Sequence, residues 1–437
     1  MTKKTIAIIT LGCSKNLVDS EDLATRLFNN YNIQYDNAEN ADIVIINTCG
    51  FILDAQQESI DEILFYAKEK TEGRISKLFV FGCLSERYKK DLEKEIPECD
   101  EFFGVNSLEE ILDKLECNTP VKDIARIIST PRHTAYIKVA EGCNRMCAFC
   151  IIPYIRGRYV SRKIEDIVSE ITKLAKNGTK EFNLIAQDLS YYGYDLYGKY
   201  ALPDLLKQLI EIQEVHWIRL HYTYPNNFPT EVLDLMKQSP KICRYLDIPI
   251  QHVSDKILKK MKRGHSKEET VALIKKFRYE IPDIALRTTL LVGFPGETDK
   301  EFAELEEFVK EAKFDRLGVF QYSPEEGTFS QKNYRDSVSK KKKQERADRI
   351  MKIQQKISAE LNASKSGGYF KVLIDRKEGE YFVGRTQYDS PEVDCEVLIK
   401  ISDAPQFEIG NFYNVKITDS QEFDLYGIPA YRKLTKS

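Results

Sequence analysis

Three apolar runs open the chain, each followed by a stretch with helical spacing. The runs are TIAIIT (5–10), DIVIIN (42–47) and KLFVFG (77–82). Continuous apolar runs of this length read as strands buried on both faces. The stretches at about 19–29, 53–70 and 85–95 read as helices, with Asp19 or Ser20 available to cap the first. Strands alternating with helices predict an open parallel α/β sheet over residues 1–120.

A second series follows. Its strand candidates are AYIKVA (135–140), EFNLIAQ (181–187), HWIRLHY (216–222), YLDIPI (245–250), IALRTTLLVG (284–293) and DRLGVFQYS (315–323). Helical patterns separate most of them. Six βα repeats predict a barrel or partial barrel spanning about 130–360, with its site at the C-terminal ends of the strands. Residues 338–364 read as one long polar helix. From Gly367 the pattern shortens to YFKVLID, YFVGRTQY, DCEVLIK and FYNVKIT, punctuated by glycine and Asp-Ser-Pro. That predicts a small β-barrel over 366–433.

Composition narrows the function. The 437 residues carry a net charge of −3, so no global basicity points to nucleic acid or an anionic membrane. The lysine run at 340–343 could touch nucleic acid, or could form a solvated helix face. No apolar run reaches about 18 residues, so no membrane span is expected. The N-terminal apolar run is too short for a signal and ends in a cysteine. Ten cysteines without such a signal suit a reducing cytoplasm, where they are ligands, catalytic groups or buried hydrophobes rather than disulfides. No GxGxxG follows the first strand, which argues against a dinucleotide-binding oxidoreductase.

The densest signal is GCNRMCAFC, residues 142–150. Cys143, Cys147 and Cys150 have the spacing C-x3-C-x2-C, just past a predicted barrel strand. Three thiolates there can ligate three irons of a cubane cluster. The fourth iron stays open for a substrate, as on a catalytic metal. The plainer alternative is zinc, which needs a fourth ligand, with His133 the nearest candidate. A second trio is spread out. Cys13, Cys49 and Cys83 each fall within three residues of the end of one N-terminal strand. Strand ends of a parallel sheet share one edge, where ligands of open α/β folds bind. Cys99, Cys117, Cys243 and Cys395 have no such setting and read as ordinary buried thiols.

The C-x3-C-x2-C spacing, Phe149 before the last cysteine and the βα series resemble the radical S-adenosylmethionine (SAM) superfamily. With both trios considered, the whole chain resembles the methylthiotransferases: a cluster domain, a radical SAM partial barrel and a C-terminal TRAM domain, a small OB-like β-barrel. The resemblance implies two 4Fe-4S clusters and SAM as cofactors. It assigns Cys143, Cys147 and Cys150 to the SAM cluster, and Cys13, Cys49 and Cys83 to the cluster that delivers sulfur. One SAM methylates a bound sulfur; another is cleaved to a deoxyadenosyl radical that abstracts hydrogen. No acid–base side chain is therefore expected. Candidate SAM contacts are Phe149, Gln187 at the second strand end, Arg287 as a carboxylate partner, and Gly293, Gly296 and Glu297 in VGFPGE. The last three could equally form a turn at a helix start. Gln251 and His252, in IPIQHVSD, also lie at a strand end, and His252 could be structural.

One branch of the family modifies an aspartate of the twelfth small-subunit ribosomal protein; another modifies an adenosine of tRNA. TLGCSKNLVDSE, IAQDLSYYG, SPEVDC and FDLYG resemble the ribosomal-protein branch, with Ser390 and Cys395 standing where that branch usually has Ala and Gly. Residues 370–428 hold six basic and twelve acidic side chains, a net −6. An acidic domain suits a basic protein partner better than RNA phosphates, and direct nucleic-acid binding is not expected. The implied electron donor is a low-potential carrier such as flavodoxin or ferredoxin. A non-catalytic iron–sulfur carrier remains the rival of another class.

Overall fold

A computed structural model describes residues 3–117 and 124–430. The first unit holds strands β1 (Thr5–Thr10), β2 (Asn32–Tyr35), β3 (Ile43–Thr48), β4 (Lys77–Gly82) and β5 (Glu101–Phe102). They pair in the order β2-β1-β3-β4-β5, all parallel. The order reverses between β1 and β3, and open α/β sheets bind ligands at such a switch point. The side chains of β3 are buried throughout, with apolar clusters on both faces of the sheet. The expected strands 5–10 and 77–82 match β1 and β4. Short β2 and β5 are additions, because β2 lies at the sheet edge with mostly half-exposed residues and β5 has two residues only.

The first helix, Ser14–Leu27, begins five residues before the expected position, directly on Cys13, and no side chain caps it. The discrepancy has a physical cause. Lys15 and Asn16 look like solvent-facing residues in the sequence but are buried, where they make contacts described below.

The central unit has β6 (Thr134–Lys138), a two-stranded ribbon of β7 (Ala140–Glu141) and β8 (Val160–Ser161), and then β9 (Glu181–Ile185), β10 (Trp217–Leu220), β11 (Ile242–Asp247), β12 (Ala285–Val292) and β13 (Arg316–Gln321). The six long strands pair in parallel, in sequence order from β6 to β13. This is the expected (βα)6 partial barrel, open between β6 and β13. Helix Ser14–Leu27 of the first unit packs on β6, and helix Lys340–Ala363 packs on β13. Both edges are thus covered, which removes two templates for unwanted strand pairing.

The C-terminal unit is a closed barrel of β14 (Tyr369–Glu378), β15 (Tyr381–Arg385), β16 (Glu396–Lys400), β17 (Phe412–Ser420) and β18 (Asp424–Pro429). β16 and β18 are parallel and the other neighbours antiparallel. The sequence pattern showed four of these strands; FDLYG supplies the fifth.

This small barrel plugs the base of the large one. Glu181, at the start of β9, is fully buried and accepts from Arg219 (2.9 Å) and Arg385 (2.7 Å). Arg385 also binds Asp375 (2.7 Å), which binds His133 at 3.0 Å. Farther round the rim, Arg316 pairs with Asp389 at 2.6 Å. The segment 386–395 rises into the lumen, where the Ser390 hydroxyl lies 3.4 Å from His221 Nε2. Among the described residues, no helix is long and apolar enough to cross a membrane.

Arg385 and Arg219 both depend on one buried carboxylate. Glu181→Gln should therefore cost about 3–5 kcal/mol by leaving buried charge uncompensated. Urea unfolding of the variant beside the parent checks this, and the loss should be larger than for Asp204→Asn on the surface.

Candidate active site

The first trio of cysteines converges at the sheet's switch point. Cys13 follows β1, Cys49 follows β3, and Cys83 begins the helix after β4. Glycine flanks each of them, and two of these glycines show why. A Cβ on Gly12, whose φ is +92°, would lie 2.7 Å from the Cys49 Cβ and 2.9 Å from its Sγ. A Cβ on Gly50 would lie 2.7 Å from the Cys83 carbonyl. The three loops touch backbone to backbone, which only glycine allows. Buried amides secure them. Asn16 Nδ2 donates to Leu11 O (2.8 Å) and Thr48 O (3.1 Å). Asn47 Nδ2 donates to Asn16 O (2.8 Å). Ser59 Oγ accepts from the Cys49 amide (3.0 Å) and donates to the Cys49 carbonyl.

The second trio lies on the loop after β7, at the C-terminal mouth of the partial barrel. The Ala148 amide donates to Met261 O (2.9 Å) and its carbonyl accepts from the Ser330 amide (2.7 Å). Helices Asp255–Met261 and Phe329–Asn333 therefore sandwich the Cys147–Cys150 segment. Phe149 packs beneath it against Phe294, with ring centres 6.4 Å apart. The two trios meet across the interface between units: Ile151, directly after Cys150, packs with Ile155 on Cys83.

Cationic side chains serve the sulfurs. Arg156, 3% exposed, reaches out of the barrel unit and donates to Cys83 Sγ (3.3 Å) and Asn16 Oδ1 (2.6 Å). Its other nitrogen binds Asp19 and Glu141, each at 3.1 Å. Lys138 binds the same two carboxylates. Arg263 donates to Cys147 Sγ (3.4 Å) and lies over the Tyr224 ring (4.2 Å). Arg145 stacks on the same ring and pairs with buried Asp188 at 2.7 Å. Arg156, Arg263 and Arg145 were not legible beforehand, since loop arginines follow no periodicity. Glycine beside Cys13, Cys49 and Cys83 was a readable sign of the first trio.

Burial raises the unligated thiols. Cys49 is pushed up to about 11, with Cys13 and Cys83 adding like-charge repulsion. Cys143 is pushed up to about 12. Burial also raises Cys83, opposed by Arg156. Cys150 is raised by burial, then by Cys147 and Cys143. Metal binding to such groups must release protons.

A single zinc ion would draw its ligands to within about 2.3 Å of one point. Among the described residues no three His, Cys, Asp or Glu side chains are arranged to hold a single metal ion. His133, the candidate fourth zinc ligand, sits at the opposite end of β6, bound to Asp375. A cubane spreads its three thiolates over three irons, so its ligands need not converge on one point. Cys99, Cys117, Cys243 and Cys395 lie in four different apolar clusters.

The remaining candidates divide. Gln187 lies two residues past β9 at the barrel mouth, and its Oε1 is buried without a partner. That orphaned acceptor suits a bound donor. Arg287 sits lower in the lumen, 3.4 Å from Asp247 and 3.5 Å from Asp394. Gly293 and Gly296 form a turn with φ of +75° and +93°. Cβ atoms there would strike Lys343 (2.3 Å) and Lys260 (2.4 Å) rather than open space. Glu297 closes that turn, accepting from the Gly293 (2.6 Å) and Phe294 (3.3 Å) amides and pairing with Arg346 (2.9 Å). The three residues form the turn that the sequence offered as one of two readings. Gln251 adopts φ +69° and bridges β12 through Thr289 O and the Leu291 amide.

His252 is structural. Its Nδ1 accepts from the Val253 (2.9 Å) and Ser254 (3.0 Å) amides, so that nitrogen carries no proton. Burial lowers its pKa to about 3. The neutral ring's contribution to stability is fully present above pH 6.5 and lost as pH falls toward 3. Unfolding of the iron-free chain should show a loss on the order of 4 kcal/mol across that window from this group. His252→Asn, which keeps an acceptor but cannot titrate, should flatten that part of the pH profile.

Comparison with known proteins agrees with this arrangement. Residues 5–104 match uncharacterized protein family UPF0004, 137–309 the radical SAM superfamily and 367–429 the TRAM domain. The ribosomal protein uS12 methylthiotransferase RimO of Bacteroides fragilis is 53% identical over 430 residues, covering 98% of this chain and 99% of that protein. Its counterpart in Phocaeicola vulgatus is 52% identical over 429 residues, covering 98% and 99%. The radical SAM methyltransferase TsrM of Kitasatospora setae superposes with a TM-score of 0.53 at 14% identity, covering 72% of this chain and 73% of that one. The cobalamin-dependent SAM radical enzyme OxsB gives 0.51 at 11% identity, covering 80% and 56%. The two solved structures share the fold alone. With half of its residues identical across nearly the full length, and with two cysteine trios at one interface, this chain belongs to the ribosomal protein uS12 methylthiotransferase family.

Proposed function

We propose that this chain adds a methylthio group to the β-carbon of one aspartate in ribosomal protein uS12. Its cofactors are SAM and 4Fe-4S clusters. Cys143, Cys147 and Cys150 would hold the cluster that binds SAM; Cys13, Cys49 and Cys83 would hold the one that presents sulfur. The clusters and SAM, when bound, supply the radical and sulfur-transfer chemistry. One observation supports the reading above all: Ile151 and Ile155, directly beyond Cys150, lie against Cys83. The two trios therefore open onto one shared region, where a single substrate atom could be activated and then functionalised.

The chain's own residues orient and shield. Arg156 and Arg263 donate to one sulfur of each trio, and beside Cys83 the Arg156 guanidinium opposes the rise that burial imposes. Gln187 offers its unpaired oxygen at the mouth for SAM. Phe149, Phe294 and Tyr322 keep water from below the SAM-side loop. Segment 386–395 closes the barrel base, leaving the C-terminal mouth as the substrate's way in.

The C-terminal barrel favours a basic protein over RNA. Glu378, Glu380, Asp403, Glu408, Asp419 and Glu422 are exposed. Of its six basic residues, Arg385 is buried and Arg376 is neutralised by Glu378 and Glu396. We place the reaction in the cytoplasm, with a low-potential flavodoxin or ferredoxin as reductant.

Anaerobic reconstitution should give about eight irons per chain, for two four-iron clusters. Alanine at all three cysteines of either trio should remove about half of them. Supplied with SAM, sulfide and reductant, the intact enzyme should modify uS12 and leave unmodified tRNA unchanged, as read by mass spectrometry. Modification of tRNA instead would transfer the chain to the other branch. Iron binding without any SAM cleavage would make it a cluster carrier.

A further inference from the structure

Cys143 and Cys147 are buried, yet their loop reaches the surface between them: Asn144 is exposed and Met146 is 53% exposed. The ground around this loop is basic in a protein of net charge −3. Residues 256–263 hold five basic groups and no acidic one. On helix Asp255–Met261, Ile257, Leu258 and Met261 face inward, which leaves Lys256, Lys259 and Lys262 exposed. Lys262 lies 3.2 Å above the Phe329 ring and so joins this helix to the next. Lys332 and Arg335 extend the same surface and are exposed. Lys256 is paired with Glu301. Lys259, Lys332 and Arg335 have no acidic partner among the described residues. Charges left unpaired on the two elements that sandwich a redox loop form a complementary surface for a negative partner.

We propose that the surface formed by Lys259, Lys262, Lys332 and Arg335 docks an acidic protein that carries one electron at low potential. This rests on the reading of Cys143, Cys147 and Cys150 as ligands of the SAM cluster. The contact transfers one electron: the carrier is oxidised by one, the cluster is reduced by one, and no bond is made or broken there. Docking here brings the carrier toward Asn144 and Met146, the exposed stretch of the loop.

The test compares two reductants in the reconstituted enzyme, with release of deoxyadenosine from SAM as the readout. Dithionite is small and needs no docking; reduced flavodoxin does. In the triple variant Lys259→Glu, Lys332→Glu and Arg335→Glu, the dithionite rate should stay within about twofold of the parent. The half-saturating flavodoxin concentration should rise about tenfold, and its dependence on salt should flatten. Single reversals at Lys259 and at Lys332 should each show part of the effect, which guards against misfolding of the triple variant. A control with Lys68, Lys90 and Lys94 reversed, on the first unit, should behave as the parent does. Unchanged flavodoxin kinetics in the triple variant would overturn the proposal. So would flavodoxin kinetics that stay intact while affinity for ribosomal RNA is lost, which would assign the surface to nucleic acid. Failure of SAM cleavage with dithionite in the parent would instead overturn the reading of the cysteines.

Discussion

Two sets of thiols on separate folding units can serve one reaction only if the interface between them is held rigidly. Here that duty falls on a buried guanidinium. Arg156 leaves the barrel unit, meets Cys83 and Asn16 of the first unit, and is neutralised by Asp19 from one side and Glu141 from the other. Lys138 shares both carboxylates. A buried ion pair adds little net stability over an apolar contact, because desolvation consumes most of the Coulomb gain. Its directional hydrogen bonds do something an apolar contact cannot, which is to fix orientation. The same helix is clamped again by Glu21 on Arg126 (3.0 Å), itself bound to Glu170 (3.1 Å).

A matching device operates at the other end of the barrel. The Glu181–Arg219–Arg385–Asp375 chain joins the C-terminal unit to the strand starts, and segment 386–395 fills the lumen from below. The molecule thus has one closed end and one open end. Polar lumen groups such as Arg287, Asp247 and Asp394 belong to the closed end, where the guanidinium lies between the two carboxylates at 3.4 and 3.5 Å. Ser390 and Cys395 find roles in this setting. The Ser390 hydroxyl approaches His221, and Cys395 sits in the small barrel's core, where Asn362 Nδ2 lies 3.5 Å from its sulfur.

Much of the fold was legible because buried parallel strands leave unbroken apolar runs. β1 and β4 coincide with their runs, and all six barrel strands overlap theirs. Where the pattern misled, function had displaced it. Helix Ser14–Leu27 starts early on polar residues that are buried for contacts: Asn16 bonds the cysteine loops, and Lys15 lies 3.7 Å above the Tyr222 ring. β11 runs three residues upstream of YLDIPI, because the apolar Ile248 and Ile250 that follow it are buried in a loop rather than a strand.

The sequence alone determined the chemistry, since cysteine spacing and strand-end placement are local properties that a linear chain records. It also set the acidic character of the last domain, which is a matter of counting. Only the tertiary structure decided what surrounds the sulfurs. Arg156 lies 73 residues from Cys83, and Arg263 lies 116 from Cys147; no periodicity links such pairs. It likewise decided that Gly293, Gly296 and Glu297 build a turn around Lys343, Lys260 and Arg346. A glycine in sequence announces room for something. Which atom takes that room depends on elements that fold against it from far along the chain.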